Sequence, residues 1–222
     1  MAAANRWLEA TWPMVRAFLP GPPGEVVEIG CGPLGGFVPM LRSSGYDAVG
    51  VDPEAPDEAD YRRIEFENAD RFSGLDAVVA STSLHHVADP EAVLEEVASA
   101  LAPGGTVVVV EWDWHAFDEP TAEWCFQRLG SENEGWLHGL HEEWRVSGRR
   151  WPVYVRKWAQ EHEIHAAETL LGLLDQRFQR THLAYGPYFF TDLAGTNEAD
   201  ELAAIEEGLI RATRVDYAGR LR

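Results

Sequence analysis

The stretch Glu28-Ile-Gly-Cys-Gly-Pro-Leu-Gly-Gly36 closes one apolar run, Glu25–Ile29, and opens a helical pattern. Glycines at such a strand-to-helix turn let the backbone come close to a ligand, because no Cβ stands in the way. The next apolar run, Asp47–Val51, ends in Asp52, at the spacing from the glycines that suits a carboxylate gripping a ribose diol. Gly30-x-Gly32-x-x-Gly35 also satisfies the dinucleotide fingerprint, so the glycines alone leave the ligand open. Glu28 narrows the choice. A carboxylate beside the loop suits a cationic amino-acid ligand and repels a pyrophosphate.

The rest of the chain extends this unit into an α/β fold. Residues 5–19 carry Trp7, Leu8, Trp12, Val15, Phe18 and Leu19 at helical intervals before the break Pro20-Gly-Pro-Pro-Gly24. Strands are expected at Glu25–Ile29, Asp47–Val51, Arg62–Glu67, Leu75–Ala80 and Thr106–Glu111, with helices over Leu34–Ser44 and from the Asp89-Pro90-Glu91 start to Ala102. Strands alternating with helices imply a parallel sheet covered on both faces. Beyond Trp112 the pattern turns helical and rich in Trp and His, with helices expected at Thr121–Leu129, Leu137–Val146 and Val153–Ala167. Phe178–Tyr188 and Arg214–Gly219 read as a closing antiparallel pair around the helical Asn197–Ile210 segment. The expected whole is one domain of 222 residues. It comprises an N-terminal helix (1–22), a cofactor-binding core (24–112), a helical substrate lid (113–170) and a C-terminal strand pair with its helix (171–222).

Glu28-x-Gly30-x-Gly32, Asp52, Leu75-Asp-Ala-Val-Val79, Ser83-Leu-His-His-Val87 and Leu101-Ala-Pro-Gly-Gly105 follow one another in order. That series resembles the class I methyltransferases that use S-adenosylmethionine, in their small-molecule branch. The resemblance implies a Rossmann-like, doubly wound sheet of seven strands, mostly parallel with an antiparallel last strand, and a lid inserted after strand five. It implies that Gly30 and Gly32 pass under the cofactor, that Glu28 lies near its amino-acid end, and that Asp52 accepts both ribose hydroxyls. An acidic residue after strand three faces the adenine in this family. Glu65, Glu67 and Asp70 compete for that place, and Glu67 is the residue chosen. Ser81, at the mouth of strand four, is either a backbone contact to the cofactor or a turn residue.

His85 and His86 stand just past strand four, where the sulfonium methyl would point, and histidine can take a proton from an attacking hydroxyl. Glu111, ending strand five, would hold the imidazole in its useful tautomer. His85 is the expected base and His86 the one expected to pack against the helix start; many relatives use no base at all. The expected reaction is methyl transfer to a small organic acceptor, with a hydroxyl oxygen favoured. A methyltransferase-like protein catalysing another step such as cyclisation, a nicotinamide oxidoreductase and an interaction module are the alternatives.

A net charge of -19 disfavours nucleic-acid and membrane-surface partners. Cys31 and Cys125 have no disulfide spacing, no secretion signal is read, and no apolar run nears the ~20 residues of a membrane span. A cytoplasmic protein is expected, its oligomeric state open, with a homodimer among the possibilities. His138 with His141, and His162 with His165, are spaced to share a helix face, but no ligand signature accompanies them, so no metal is expected. The Trp-rich region predicts core packing plus an aromatic-lined substrate chamber. A single lysine, Lys157, suits a GC-rich bacterial genome and, with it, secondary metabolism.

Overall fold

The structure is a computed structural model and describes residues 2–69, 71–130 and 135–222. Its centre is a seven-stranded sheet of β1 (Glu25–Ile29), β2 (Asp47–Val51), β3 (Tyr61–Arg62), β4 (Leu75–Ser81), β5 (Leu101–Trp112), β6 (Phe178–Gly186) and β7 (Arg214–Leu221). The spatial order is β3-β2-β1-β4-β5-β7-β6. Strands β1 to β5 run parallel, while β7 lies antiparallel between β5 and β6. This is the doubly wound, mostly parallel sheet with an antiparallel last strand that the sequence implies.

The parallel strands are apolar on both sides because both sides are covered. Val27, Ile29, Val78, Ala80, Val107 and Val109 pack on one face, against α3 (Pro90–Ala100) and α7 (Ala167–Arg177). Their alternates Val26, Ala77, Val79, Val108 and Val110 pack on the other, against α1 (Ala2–Phe18) and α2 (Val38–Ser43). Helix α3 starts where its signals place it: the Asp89 side chain accepts from the Ala92 N–H at 3.0 Å, with Pro90 in the first turn. A third, aromatic core holds α4 (Glu119–Phe126), α5 (Trp136–Ser147) and α6 (Trp151–Glu161) together over the carboxyl end of the sheet. Trp112, Trp114, Phe117, Trp151 and Phe189 are buried in it. The last helix, α8 (Glu198–Glu206), precedes β7 and begins with a capping box at Asn197 and Asp200.

Several elements differ from expectation, β5 among them, which begins at Leu101 and not at Thr106. Gly35 and Gly36 have φ of +84° and +53°, so the glycine turn runs on and α2 begins only at Val38. Strand three is just two residues, and the expected continuation to Glu67 is instead a 3-10 turn at Phe66–Asn68. The helix expected over Val153–Ala167 stops at Glu161; Glu163 takes φ +54°, and α7 starts afresh at Ala167. Consequently His162 and His165 lie at a helix break and share no helix face.

Candidate active site

The sheet order reverses between β1 and β4, and in such sheets ligands lie in the crevice outside the carboxyl ends at that point. Gly30 and Gly32 follow β1 with φ of +78° and +61°, a region closed to most side chains. A Cβ on Gly30 would strike Ser83, whose hydroxyl donates to the Ile29 carbonyl at 3.0 Å. The loops after β1 and β4 are thereby interlocked. Thr82, between them, holds φ +49°, a strained conformation for a β-branched residue.

Over these loops lies a cleft with two lobes that meet at Gly30, Gly32 and Thr82. One lobe, about 450 Å³, is edged by Asp52, Glu65, Glu67 and His86. The other, about 500 Å³, is edged by Glu28, Ser81, Trp7, Trp136, Tyr188 and Asp192. Asp52 Oδ2 accepts from the Gly32 N–H at 3.0 Å and Oδ1 from the Glu54 N–H at 2.7 Å. One lone pair on each oxygen remains for a diol. Glu67 is half-buried beside the exposed Glu65; Asp70, the third candidate for the adenine contact, lies outside the described residues. Ser81 is buried at the end of β4.

Glu28 is fully buried, and its Oε2 accepts from the Phe37 N–H at 2.7 Å while Oε1 has no partner. Burial pushes this carboxyl up to about 8, against the backbone hydrogen bond that favours the anion. A Cβ on Gly36 would collide with it, so the glycine turn is what lets the carboxylate lie flat beneath the loop. These features fit S-adenosylmethionine. The diol acceptors sit in one lobe, an orphaned acceptor suited to an ammonium edges the other, and glycine backbone lies between. Burial also pushes the neighbouring Cys31 thiol up to about 12, which leaves it an inert packing group.

Glu111 is buried at the end of β5. Its Oε1 accepts from the Ser83 N–H at 3.0 Å and the Leu84 N–H at 2.7 Å, and Oε2 meets His85 Nδ1. The His85 ring is buried with it and edges neither lobe, whereas His86 is exposed and edges the nucleoside-sized lobe. The expectation took His85 as the base and His86 as the ring packed against the helix start; the structure buries His85 and leaves His86 exposed. Desolvation first, then the adjacent His85, hold His86 down to about 4, so it is a neutral ring at ordinary pH. His165 ties the helix break to this segment: its N–H donates to the His85 carbonyl and its Nε2 lies by the Val87 carbonyl, both at 2.9 Å.

Four cleft residues had no sequence signal as a group: Trp7, Trp136, Tyr188 and Asp192. They come from α1, α5 and the loop after β6, and only the assembled fold brings them together. Glu201 of α8 holds that loop, its buried Oε1 accepting from the Tyr188 and Phe189 N–H groups at 2.8 and 3.2 Å. Of the tryptophans from the end of β5 onward, Trp136 edges the cleft, while Trp112, Trp114 and Trp151 are buried in the aromatic core. Among the described residues no group of three or more His, Cys, Asp or Glu could hold a metal ion, and no helix is long and apolar enough to cross a membrane.

Comparison with known proteins agrees with this geometry. A ubiquinone biosynthesis O-methyltransferase from Xanthomonas campestris is 31% identical over 137 residues, covering 48% of this chain and 56% of the relative. The chain thus spans about half the length of the curated relatives it matches. A S-adenosylmethionine-dependent methyltransferase from Mesorhizobium loti superposes with a TM-score of 0.59 at 22% identity, covering 96% of this chain and 99% of the other. The N-methyltransferase NodS from Bradyrhizobium japonicum, in complex with S-adenosyl-L-homocysteine, gives 0.55 at 13% identity, covering 96% and 86%. Both likenesses carry the fold. Residues 5–177 match the family described as a methyltransferase domain. The chain belongs to that methyltransferase-domain family.

Proposed function

We propose that this enzyme methylates a hydroxyl oxygen of a small organic acceptor seated in the aromatic-edged lobe of the cleft. The observation that carries the reading is the two-lobed shape, with nucleoside-type acceptors in one lobe and Trp7, Trp136 and Tyr188 around the other. S-adenosylmethionine, when bound, supplies an electrophilic sulfonium methyl. Asp52 would hold the ribose and Glu67 the adenine amino group. Glu28 would accept the ammonium through its unpartnered oxygen, directly or by way of water, and Gly30, Gly32 and Ser81 would offer backbone. The lid aromatics exclude water and align the acceptor atom, which supplies much of the rate in a displacement of this kind.

Support for oxygen comes from the O-methyltransferase relative and from the His85–Glu111 pair. With Glu111 at Nδ1, the Nε2 lone pair of His85 would receive the hydroxyl proton. The burial of both groups favours a second reading, in which the pair pins the Thr82–Leu84 segment and transfer proceeds by alignment alone. His85→Ala separates the two. A base contributes about 10²–10⁴-fold, so a turnover loss of that size with unchanged S-adenosylhomocysteine affinity supports proton transfer. A loss under about tenfold assigns the pair to positioning.

A further inference from the structure

Glu28 sits where a carboxylate has little to keep it ionised. Its side chain is 0% exposed beneath the glycine turn, and its Oε1 is one of the few buried oxygens left without a partner. The groups that face it from the surrounding elements bring no positive charge. Asp52, from the end of β2, adds a like charge. The Cys31 thiol of the glycine turn and the Tyr61 phenol of β3 are both held above their ordinary values, and so stay neutral. Across the lobe, Tyr188 and Asp192 of the loop after β6 are held up as well, Asp192 in spite of the Trp136 N–H and the Arg6 charge that answer it. Among the described residues that edge this lobe none is a lysine, arginine or histidine. The Phe37 N–H, at the start of α2, favours the anion, but it is spent on Oε2. An isolated buried charge in such a setting takes up a proton instead, and with Oε2 accepting from Phe37 that proton belongs on Oε1. In the reading above, the ammonium of the cofactor needs the same oxygen.

We propose that the cofactor binds by proton exchange: its ammonium displaces the proton of the Glu28 carboxyl and takes its place on Oε1. The O–H bond breaks with its electron pair left on Oε1, the proton passes to solvent, and the ammonium keeps its own protons. The inference rests on the methyltransferase reading of the cleft and deepens it, because the amino-acid tail is then recognised by the positive charge that lets Glu28 ionise. The free carboxyl titrates at about 8, so below that pH the free protein holds a proton that the complex does not. Binding therefore releases a proton and tightens as pH rises, in step with the ionised fraction of the free protein. His86, in the other lobe, is held down to about 4 and does not titrate near neutrality.

Calorimetric titration of S-adenosylhomocysteine near neutral pH, in phosphate, HEPES and imidazole buffers of different ionisation enthalpy, counts the protons. About one proton should leave per ligand bound, and affinity should rise about tenfold from pH ~6 to pH ~7. Methylthioadenosine, which has the nucleoside and no amino-acid tail, should bind without proton release and with the same affinity at both pH values. Glu28→Gln should bind S-adenosylhomocysteine with no proton release and no such rise. The proposal is overturned if the parent's binding enthalpy is the same in all three buffers, if its affinity does not change with pH, if methylthioadenosine releases as many protons, or if Glu28→Gln keeps the release. The two ligands on the parent protein decide the matter even if the variant fails to fold. Binding without proton release sinks the exchange alone, whereas no binding of S-adenosylhomocysteine in any buffer sinks the cofactor reading with it.

Discussion

Glu28 and Asp52 are both carboxylates at the carboxyl ends of neighbouring strands, yet the fold treats them oppositely. Asp52 is half-exposed, with both oxygens already ordered by backbone N–H groups, so it is a preorganised acceptor. Its replacement by alanine removes charged hydrogen bonds and should weaken S-adenosylhomocysteine binding by more than about 1.5 kcal/mol, measured by calorimetry. Unchanged affinity would refute the ribose role. Glu28 is buried with one oxygen unpartnered, and its carboxyl is raised from 4.5 to about 8. The folded protein therefore keeps a proton there that the unfolded chain gives up above pH 4.5. The stability tied to this group is complete below that pH and is lost as pH climbs toward about 8. Glu28→Gln removes the titration. In the ligand-free protein it should match the parent near pH 4.5 and melt progressively higher than the parent as pH approaches 8; parallel melting curves across that window would contradict the assignment. The glycine turn and Asp52, which the structure brings to one cleft, gave a signal in the sequence because that signal is local spacing. The inward turn of His85 and outward turn of His86 gave none, because a single 3-10 turn at Leu84–His86 decides which of two adjacent rings is buried.

At the scale of elements, legibility followed burial. Strands β1, β2 and β4 stand where their apolar runs place them, since burial on both faces leaves no polar alternation to blur the signal. Strand β3 is an edge strand of two residues, too short to carry a pattern. The break between α6 and α7 has neither proline nor glycine to announce it. It is held by His165 bonding to the β4 loop, a contact between residues about 80 positions apart. Helix α3 is the opposite case, announced by Asp89-Pro90-Glu91 and capped accordingly. Asp89→Ala should lower the unfolding free energy by about 1 kcal/mol in a denaturant titration. A neutral substitution would show that the helix start is set by its packing on the sheet and not by the cap.

For the molecule as a whole, the sheet is a platform and helices α4 to α6 share an aromatic core of their own, edging the cleft together with helix α1. The sequence pointed to the proposed cofactor side because one contiguous stretch, 24–112, carries its motifs. The proposed acceptor side draws Trp7, Trp136, Tyr188 and Asp192 from three segments far apart in the chain, so no local pattern could name them. Such a division would let the interlocked β1 and β4 loops stay fixed while the helices around the other lobe are rebuilt for a different guest. The most direct test of the account is a crystal structure with S-adenosylhomocysteine. Density for its ribose against Asp52, its adenine in the lobe of Glu67 and its methionine tail beside Glu28 is the predicted result. A nucleoside bound away from the ends of β1 and β2, or a cleft left empty at saturating ligand, would contradict it.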